Sequence, residues 1–372
     1  MPVPPEADDS SPPVDLAVYG WDAGWAAAFA PFAAQGLVPG RVVIEFNHLL
    51  RVTTAEGDVQ AQHSGKLRHS ATGRHDMAAV GDWVALLPRA DEKTATIEAI
   101  LPRRTHFSRK AAGDLTEQQV VAANIDRVFV VMGLDRDYNP RRLERYLVLA
   151  HDSGARPVVV LSKTDLIDDE TLAGRIAECT GVAPGFDVIA ASVRDGRGID
   201  AVRATLPAGS TGALLGSSGA GKSTLINALI GQDLLATGEV RPSDSRGRHT
   251  TRHRQLVVLP GGGLLIDTPG MRELQLWTAP EAADASFEDV DALAVGCHFT
   301  NCRHLTEPRC AVRAAVENGT LDASRLESFH KLQDEARALQ AKQDVRGRIV
   351  ERAQGKVLSR AVKQFYRMRD RQ

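Results

Sequence analysis

The segment from Gly216 to Thr224 constrains this chain more than any other part of the sequence. It has the pattern G-x-x-x-x-G-K-S of the Walker A motif, or P-loop. The apolar run 213–215 precedes it and a stretch with helical periodicity follows, which predicts a strand, a phosphate-binding loop and a helix. The residues expected to bind phosphate are Gly216, Ser217, Ser218, Gly219, Ala220, Gly221, Lys222, Ser223 and Thr224.

The residue types of this loop suit a nucleoside triphosphate. Glycines allow backbone N–H groups to surround the phosphates, and the N-terminus of the following helix adds partial positive charge. Lys222 can reach the β- and γ-phosphate oxygens, and the hydroxyl of Ser223 can bind Mg²⁺. The alternative is a glycine-rich turn that matches by accident, which the strand–loop–helix context disfavours.

Two further segments predict the magnesium and γ-phosphate contacts. Asp267-Thr268-Pro269-Gly270 ends an apolar strand and matches D-x-x-G, in which the aspartate supports Mg²⁺ through water and Gly270 senses the γ-phosphate. The polar stretch 246–253 lies between this motif and the P-loop. Thr251 is our first candidate for completing the Mg²⁺ ligands and Thr250 the second, whereas a simple linker is the alternative.

A base-recognition motif lies ahead of the P-loop. Ser162-Lys163-Thr164-Asp165 resembles N-K-x-D, in which the carboxylate of Asp165 accepts hydrogen bonds from guanine N1–H and its exocyclic amine, and the stem of Lys163 lies over the base. Ser192 and Val193 occupy the place of the loop whose backbone contacts guanine O6. Because ordinary GTPases run from the P-loop to the guanine motif, this order predicts a circularly permuted domain.

The cysteines predict a metal site. Cys297, Cys302, His304 and Cys310 have the spacing C-x₄-C-x-H-x₅-C, which suits tetrahedral Zn²⁺ in a closed structural site. Four protein ligands leave no position for a catalytic water. We expect His298 to be a surface residue. Free cysteines in a small core are the alternative, and Cys179 is expected to be an inert buried thiol.

The distribution of strand and helix patterns predicts a multidomain chain. Short β-type runs suggest an OB-fold barrel, alternating strands and helices suggest a doubly wound parallel sheet, and the cysteine segment suggests a small α-helical domain. We place a disordered or docking N-terminal segment at 1–36, the OB-fold barrel at 37–112, the permuted GTPase domain at 113–277, the zinc-binding domain at 278–345 and a basic tail at 346–372.

Charge is close to balanced overall but uneven along the chain. The 372 residues carry a net charge of −2, so a nucleic-acid contact must come from local patches. Residues 342–372 hold ten Lys or Arg against three acids, which favours phosphate-backbone binding over a merely solvated face. A second basic cluster, residues 103–110, is either solvated surface or RNA-binding surface. We expect a cytoplasmic protein without a membrane span.

Taken together, these motifs resemble the circularly permuted ribosome-assembly GTPases called RsgA or YjeQ. The resemblance extends from about Gly36 to Leu339 and rests on the P-loop, Asp267-Thr268-Pro269-Gly270, Gly247-Arg248-His249-Thr250-Thr251 and the Cys297/Cys302/His304/Cys310 set. It implies an OB domain, a permuted GTPase and a zinc domain that act together in late maturation of the small (30S) ribosomal subunit. The implied ligands and partners are GTP or GDP, Mg²⁺, one Zn²⁺ and the subunit with its 16S-type rRNA, bound by a monomer.

The resemblance also implies catalytic roles. Met271 stands where Ras-type enzymes have a water-orienting glutamine, and the family's switch histidine, here His249, is implied in that role, with Lys222 and Thr251 assisting catalysis. Turnover should be slow and should rise on the subunit. Because Ser162 replaces the usual asparagine, we expect the amide contact to guanine N7 and the tie to the P-loop to be lost, with Asp165 preserving guanine preference.

Our leading hypothesis is therefore a GTP-hydrolysing assembly factor for the small ribosomal subunit, bound to rRNA and released on hydrolysis. A second hypothesis is a nucleotide-gated RNA-binding switch whose hydrolysis is incidental. A third is an ATP-using enzyme, which predicts that changing Asp165 to Asn leaves the preference between ATP and GTP unaltered.

Overall fold

The computed structural model describes residues 13–46, 49–89, 93–110, 118–135, 138–231, 254–267, 287–335 and 337. These residues form two compact units: the first comprises the described residues within 13–109 and 118–267, and the second comprises 110, 287–335 and 337. Within the described residues, no helix is long and apolar enough to span a bilayer.

The N-terminal part of the first unit is a closed five-stranded barrel. Its strands are β1 (Val38–Phe46), β2 (Leu49–Thr54), β3 (Gly57–His63), β4 (Trp83–Pro88) and β5 (Thr94–Ile100). They follow the order β1-β2-β3-β5-β4, and β4 pairs back with β1. The pair β3 and β5 is parallel, and the other neighbours are antiparallel. This is the predicted barrel, with the Greek-key connections of an OB-fold.

An N-terminal helix packs its aromatic residues on the barrel. Helix α1 (Ala23–Ala33) begins at Asp22, whose Oδ1 accepts a hydrogen bond from the Trp25 backbone N–H over 2.9 Å. Trp25 and Phe29 are buried in one cluster with Trp83 of β4, and the Trp25 and Trp83 ring centroids are 6.2 Å apart. The aromatic face of this segment therefore belongs to a core shared with the barrel.

The second part of the first unit is a mixed, largely parallel sheet flanked by helices. A two-stranded sheet of β6 (His106–Lys110) and β7 (Gln118–Ala123) precedes it. The strands of the mixed sheet are β8 (Arg127–Gly133), β9 (Arg156–Ser162), β10 (Asp187–Ala190), β11 (Thr211–Leu215), β12 (Arg254–Val258) and β13 (Leu264–Asp267). Their order is β10-β9-β8-β11-β13-β12, with all pairs parallel except β12–β13.

Four helices connect these strands: α3 (Pro140–Ser153), α4 (Asp169–Val182), α5 (Ile199–Ala204) and α6 (Lys222–Ile230), while the short α2 (Gly65–Ser70) belongs to the barrel. Helix α3 illustrates how the sequence sets its ends. Asn139 caps it, Pro140 opens it, and Gly154 closes it in the left-handed conformation. Its inner face is buried at Leu143, Leu147 and Ala150.

Backbone pairing joins the barrel to the parallel sheet. Strand β1 pairs antiparallel with β12, with Ile44 opposite Gln255 and Glu45 opposite Arg254. The Arg254 guanidinium lies 2.6 Å from Oε2 of Glu45 in a largely buried ion pair. The two sheets are thus one continuous eleven-stranded sheet, which explains why they form a single compact unit.

Arg41 of β1 is buried at the same junction, with 2% of its surface exposed. It donates hydrogen bonds to Thr211 Oγ1 (2.8 Å), to the carbonyls of Asn124 and Gly81 (both 3.3 Å), and to the carbonyl of Tyr19. Burial lowers the pKa of Arg41 to about 10, which leaves it charged at neutral pH. One side chain thereby fastens the barrel, the N-terminal segment and β11 together.

The basic cluster at 103–110 is not simply solvated surface. Arg103 binds the buried carboxylate of Asp82 over 2.8 Å through two nitrogens. Arg104 pairs with Asp22 at 2.6 Å and lies over the ring of Trp25. Arg109 also donates a hydrogen bond to Gln119 Oε1 at 3.4 Å, so at least three of the four basic residues interact within the fold.

The second unit is small and helical, as predicted. It contains α7 (Glu288–Ala294), α8 (Ala311–Glu317) and α9 over residues 323–335. Phe287 and Phe329 meet edge to face with ring centroids 5.4 Å apart, and Leu326 and Leu332 are buried with Phe329 on α9. Leu339 and the basic tail at 346–372 lie outside the described residues.

Candidate nucleotide site and metal centre

The P-loop lies between β11 and α6, as the motif predicts. Gly216, Gly219 and Gly221 all have positive φ angles of +151°, +85° and +90°. At Gly216 a Cβ would lie 2.3 Å from the carbonyl oxygen of Val131, so only glycine fits where the loop crosses β8. Gly221 caps α6, whose first N–H groups face the loop and provide an anion site. Lys222 Nζ donates to the carbonyls of Gly216 (2.6 Å) and Ser217.

The guanine-type motif is folded against this loop. Ser162 ends β9, and its Oγ donates a hydrogen bond to the Ala220 carbonyl at 2.6 Å and lies 3.3 Å from the Met132 carbonyl oxygen. A Cβ on Gly221 would lie 3.6 Å from Ser162 Oγ and 4.0 Å from Lys163 Cε. The expectation that serine loses the tie to the P-loop was therefore wrong, because the hydroxyl is close enough to make that bond itself.

Two carboxylates lie at this motif: Asp165 belongs to it, and Asp135 lies beside it. Asp165 lies in a single 3-10 turn, Thr164–Leu166, after Lys163 adopts the left-handed conformation at φ 61°. Oδ1 of Asp165 accepts a hydrogen bond from Ser192 Oγ over 2.8 Å, and Oδ2 lies 3.7 Å from the exposed guanidinium of Arg194. Lys163 Nζ forms an ion pair with Asp135 at 2.5 Å.

Asp135 was not among the predicted site residues. It follows the end of β8 by two positions, Lys163 follows the end of β9 by one, and parallel strands bring their carboxyl ends to the same edge of a sheet. A carboxylate directly after a buried strand is the signal that identifies it.

The loop predicted to contact guanine O6 follows β10. The backbone N–H of Ser192 donates to the Arg197 carbonyl at 2.9 Å, so this donor is already used within the loop. Ser192 is buried, whereas 37% of Val193 is exposed next to it. The loop therefore presents Val193 rather than the Ser192 N–H.

The remaining predicted residues are only partly described. Asp267 ends β13, which runs parallel to β11, so it lies at the same sheet edge as the P-loop. Thr268, Gly270 and Met271, and His249, Thr250 and Thr251, lie outside the described residues.

The predicted zinc ligands converge in the second unit. The ligand atoms of Cys297, Cys302, His304 and Cys310 all lie within 4.8 Å of one another. Cys297 Sγ is 3.8 Å from Cys310 Sγ, and His304 Nδ1 is 3.6 Å and 3.4 Å from those two sulfurs. A tetrahedral ion with Zn–S bonds of about 2.3 Å and Zn–N bonds of about 2.0–2.1 Å places two sulfurs about 3.8 Å apart and a sulfur and nitrogen about 3.5 Å apart. The donor set therefore fits zinc.

Local structure holds these ligands in place. His304 has φ 59°, and burial lowers its pKa, which favours the neutral imidazole that binds metals. Cys310 caps α8, and its Sγ accepts from the Arg313 N–H at 3.4 Å. The Glu307 carboxylate accepts hydrogen bonds from its own backbone N–H and from those of Arg303, Leu305 and Thr306, which lower its pKa to about 2. These bonds stabilise the conformation of the loop that carries the metal ligands. His298 is exposed and outside the cluster, as expected.

Cys179 is fully buried, as predicted for an inert thiol. Its Sγ lies 3.5 Å from the hydroxyl of Tyr138, and burial raises the pKa of the thiol. It takes no part in the metal cluster.

The P-loop and the guanine-type motif thus lie side by side in space and in inverted order along the chain. With the barrel ahead of them, they define a circularly permuted P-loop nucleotide-binding protein.

Comparisons with known proteins identify its family. The model of the RsgA GTPase family matches residues 100–277. A small ribosomal subunit biogenesis GTPase RsgA of Opitutus terrae is 48% identical over 86% of this chain and 89% of its own length. The namesake of Streptomyces coelicolor is 44% identical over 90% of each chain. The chain belongs to the RsgA GTPase family.

Solved structures agree with the fold. The crystal structure of YjeQ from Thermotoga maritima matches with a TM-score of 0.62 and 27% identity, covering 81% of this chain and 98% of that one. YloQ, described as a circularly permuted GTPase, matches with a TM-score of 0.60 over 81% of this chain. At 22% identity, the YloQ match supports the fold alone.

Proposed function

We propose that this protein is a GTP-hydrolysing assembly factor for late maturation of the small ribosomal subunit. The observation that carries the proposal is the hydrogen bond of 2.6 Å from Ser162 Oγ to the Ala220 carbonyl, which brings a base-recognition motif and a phosphate loop to one sheet edge. The relatives from Opitutus terrae and Streptomyces coelicolor are named for small-subunit biogenesis and match almost end to end, which supports the choice of partner.

Each end of the nucleotide has its own residues in this proposal. Asp165, held by Ser192, accepts the N1–H and exocyclic amine of guanine, and the backbone N–H of Val193 donates to O6 because that of Ser192 is committed. The P-loop N–H groups, the N-terminus of α6 and Lys222 bind the phosphates. Ser223 and Thr251 are the proposed Mg²⁺ ligands, with Asp267 acting through water. Bound Mg²⁺ neutralises charge that develops on the phosphates.

The hydrolytic residues are inferred by membership in the family. His249 orients the attacking water, Gly270 senses the γ-phosphate, and Lys222 and Thr251 stabilise charge on the transferring group. The subunit accelerates turnover by ordering the switch residues, and hydrolysis releases the protein. The barrel, the Cys3His unit with its structural zinc, and the basic tail provide the contacts to 16S-type rRNA. The protein works in the cytoplasm as a monomer.

Single-turnover GTP cleavage with and without purified small subunits tests this function. We expect subunits to raise the cleavage rate at least about tenfold, and Lys222→Ala to abolish both cleavage and GTP-dependent subunit binding. Arg156→Ala is the control, because Arg156 is exposed at the opposite end of β9 from Ser162. Cleavage that subunits leave unchanged, together with a Lys222→Ala variant that binds subunits normally in GTP, contradicts the proposal and favours an RNA-binding switch.

A further inference from the structure

The hydroxyl of Ser162 is committed to the P-loop. Ser162 is 8% exposed, and its Oγ lies 2.6 Å from the Ala220 carbonyl and 3.3 Å from the Met132 carbonyl. Both partners are acceptors, so the single O–H hydrogen of serine points at one of them. The shorter distance assigns it to Ala220.

This commitment has a consequence for the base. Guanine N7 is an acceptor and needs a donor. An asparagine at this position has two amide N–H groups, one for the loop carbonyl and one for N7, whereas serine has one. The adjacent cationic side chain, Lys163, is held in its ion pair with Asp135.

We propose that Ser162 serves as a tether between the guanine motif and the P-loop and donates no hydrogen bond to guanine N7. This inference rests on the proposed GTP binding and specifies how the base is recognised. Discrimination between guanine and adenine then depends on the N1 and exocyclic-amine edge, which Asp165 reads, and on O6. Ser162 is a positioning residue, and its effect reaches the nucleotide through Ala220 and the shape of the phosphate loop.

Packing around the P-loop turn supports the assignment. A Cβ built on Gly221 would contact Ser162 Oγ at 3.6 Å and Ser162 Cβ at 3.9 Å, so the short side chain lies directly against the loop. Gly221 is also the residue at which α6 begins. Fixing Ala220 therefore fixes the origin of the helix whose N–H groups face the phosphates.

The test compares the dissociation constants of GTP and 7-deaza-GTP, which replaces N7 by a C–H group. We expect the wild-type protein to bind the two within about twofold of each other. Ser162→Asn should bind GTP about fivefold more tightly than 7-deaza-GTP, because it supplies the missing donor. Ser162→Ala should weaken both nucleotides equally, by about fivefold, because the tether is lost.

Ser153→Ala is the matched control. Ser153 is also buried, and its Oγ donates to the Ala150 carbonyl over the same 2.6 Å, but it lies at the end of α3. We expect it to bind both nucleotides like the wild type. Thermal unfolding without nucleotide checks that each variant is folded.

Three results overturn the inference. They are a wild-type preference for GTP over 7-deaza-GTP of fivefold or more, a Ser162→Ala variant that binds both nucleotides normally, and a Ser162→Asn variant that does not distinguish them. A wild-type protein that binds neither nucleotide, or binds ATP as well as GTP, instead contradicts the proposed function. This result differs from the three above, so the two kinds of failure can be distinguished.

Discussion

Ser192 Oγ donates a hydrogen bond to Oδ1 of Asp165 over 2.8 Å, linking the loop after β10 to the turn after β9. The two residues are 27 positions apart in the chain. The bond fixes the carboxylate that we propose to recognise guanine. Because the carboxylate is already ordered before the base binds, binding loses less conformational entropy.

Replacing Ser192 should therefore weaken guanine binding. Ser192→Ala removes the donor, and we expect the dissociation constant of GTP to rise about five- to tenfold, which corresponds to a net hydrogen bond of about 1 kcal/mol. Weak ATP binding should not change, since adenine offers no partner to Asp165. Titration with a fluorescent nucleotide measures both constants. Equal losses for GTP and ATP would indicate general damage to the sheet edge instead.

The barrel contains a pH-sensitive histidine. Nε2 of His63 accepts a hydrogen bond from the Ala78 N–H at 3.0 Å, which requires the neutral ring. Burial, and then the charge of Arg68, lower the pKa of His63 below its ordinary value of 6.5. The unfolded chain therefore binds a proton more readily, and this contribution to stability is present above pH 6.5 and is lost as the pH falls below it.

We expect the free energy of unfolding to fall between pH 7 and pH 5, and His63→Gln to reduce that fall. Glutamine can still accept the bond but does not titrate. Urea unfolding at several pH values gives the slope, and His69→Gln, at an exposed position of α2, should keep the wild-type slope. If His63→Gln also keeps the wild-type slope, His63 does not contribute to the pH dependence of stability.

Metal binding should depend on the four clustered ligands. We expect the purified protein to contain one equivalent of zinc by elemental analysis, and Cys310→Ser to lose it together with the folded structure around α7, α8 and α9. Cys179→Ser should retain the metal, because this buried cysteine is outside the cluster. Zinc retained in Cys310→Ser, or absent from the wild type, contradicts a Cys3His site.

The junction of barrel and parallel sheet should depend on Arg41. Arg41→Lys keeps the charge but cannot reach four separate acceptors, so we expect the free energy of unfolding to fall by about 3 kcal/mol or more. Arg51→Lys, at an exposed position of β2, should change it by less than about 0.5 kcal/mol. Chemical denaturation measures the free energy of unfolding of both variants, and similar losses in the two would contradict the stabilising role of Arg41.

Short local signals predicted much of this molecule. The P-loop, the buried strands around it and the metal ligands were recognisable because each depends on residue types at fixed spacing. Strand β3 was harder to recognise, since its sequence is largely polar and Ala61 is its only fully buried residue. Strand β12 was missed because its pairing partners, β1 and β13, are a barrel strand far away in sequence and a strand beyond the next turn.

Contacts between segments that are far apart in the chain could not be predicted from local sequence patterns either. No local pattern shows that Ser162 reaches Ala220, 58 positions away, or that Arg103 is held by Asp82. Both contacts follow from how strands are placed in the two sheets. The serine was predicted to lose a contact that it makes, because that prediction rested on the missing amide and the position of the loop carbonyl was not known from the sequence.

Competition binding tests the central claim that Asp165 and Lys222 hold opposite ends of one guanosine triphosphate. GTP, ATP, GDP and xanthosine triphosphate would each displace a fluorescent guanine nucleotide from the wild type and from Asp165→Asn. We predict a wild-type preference for GTP over ATP of at least about a hundredfold, and a shift of preference to xanthosine triphosphate in Asp165→Asn. Equal binding of ATP and GTP, or an unchanged order of preference in the variant, would contradict it.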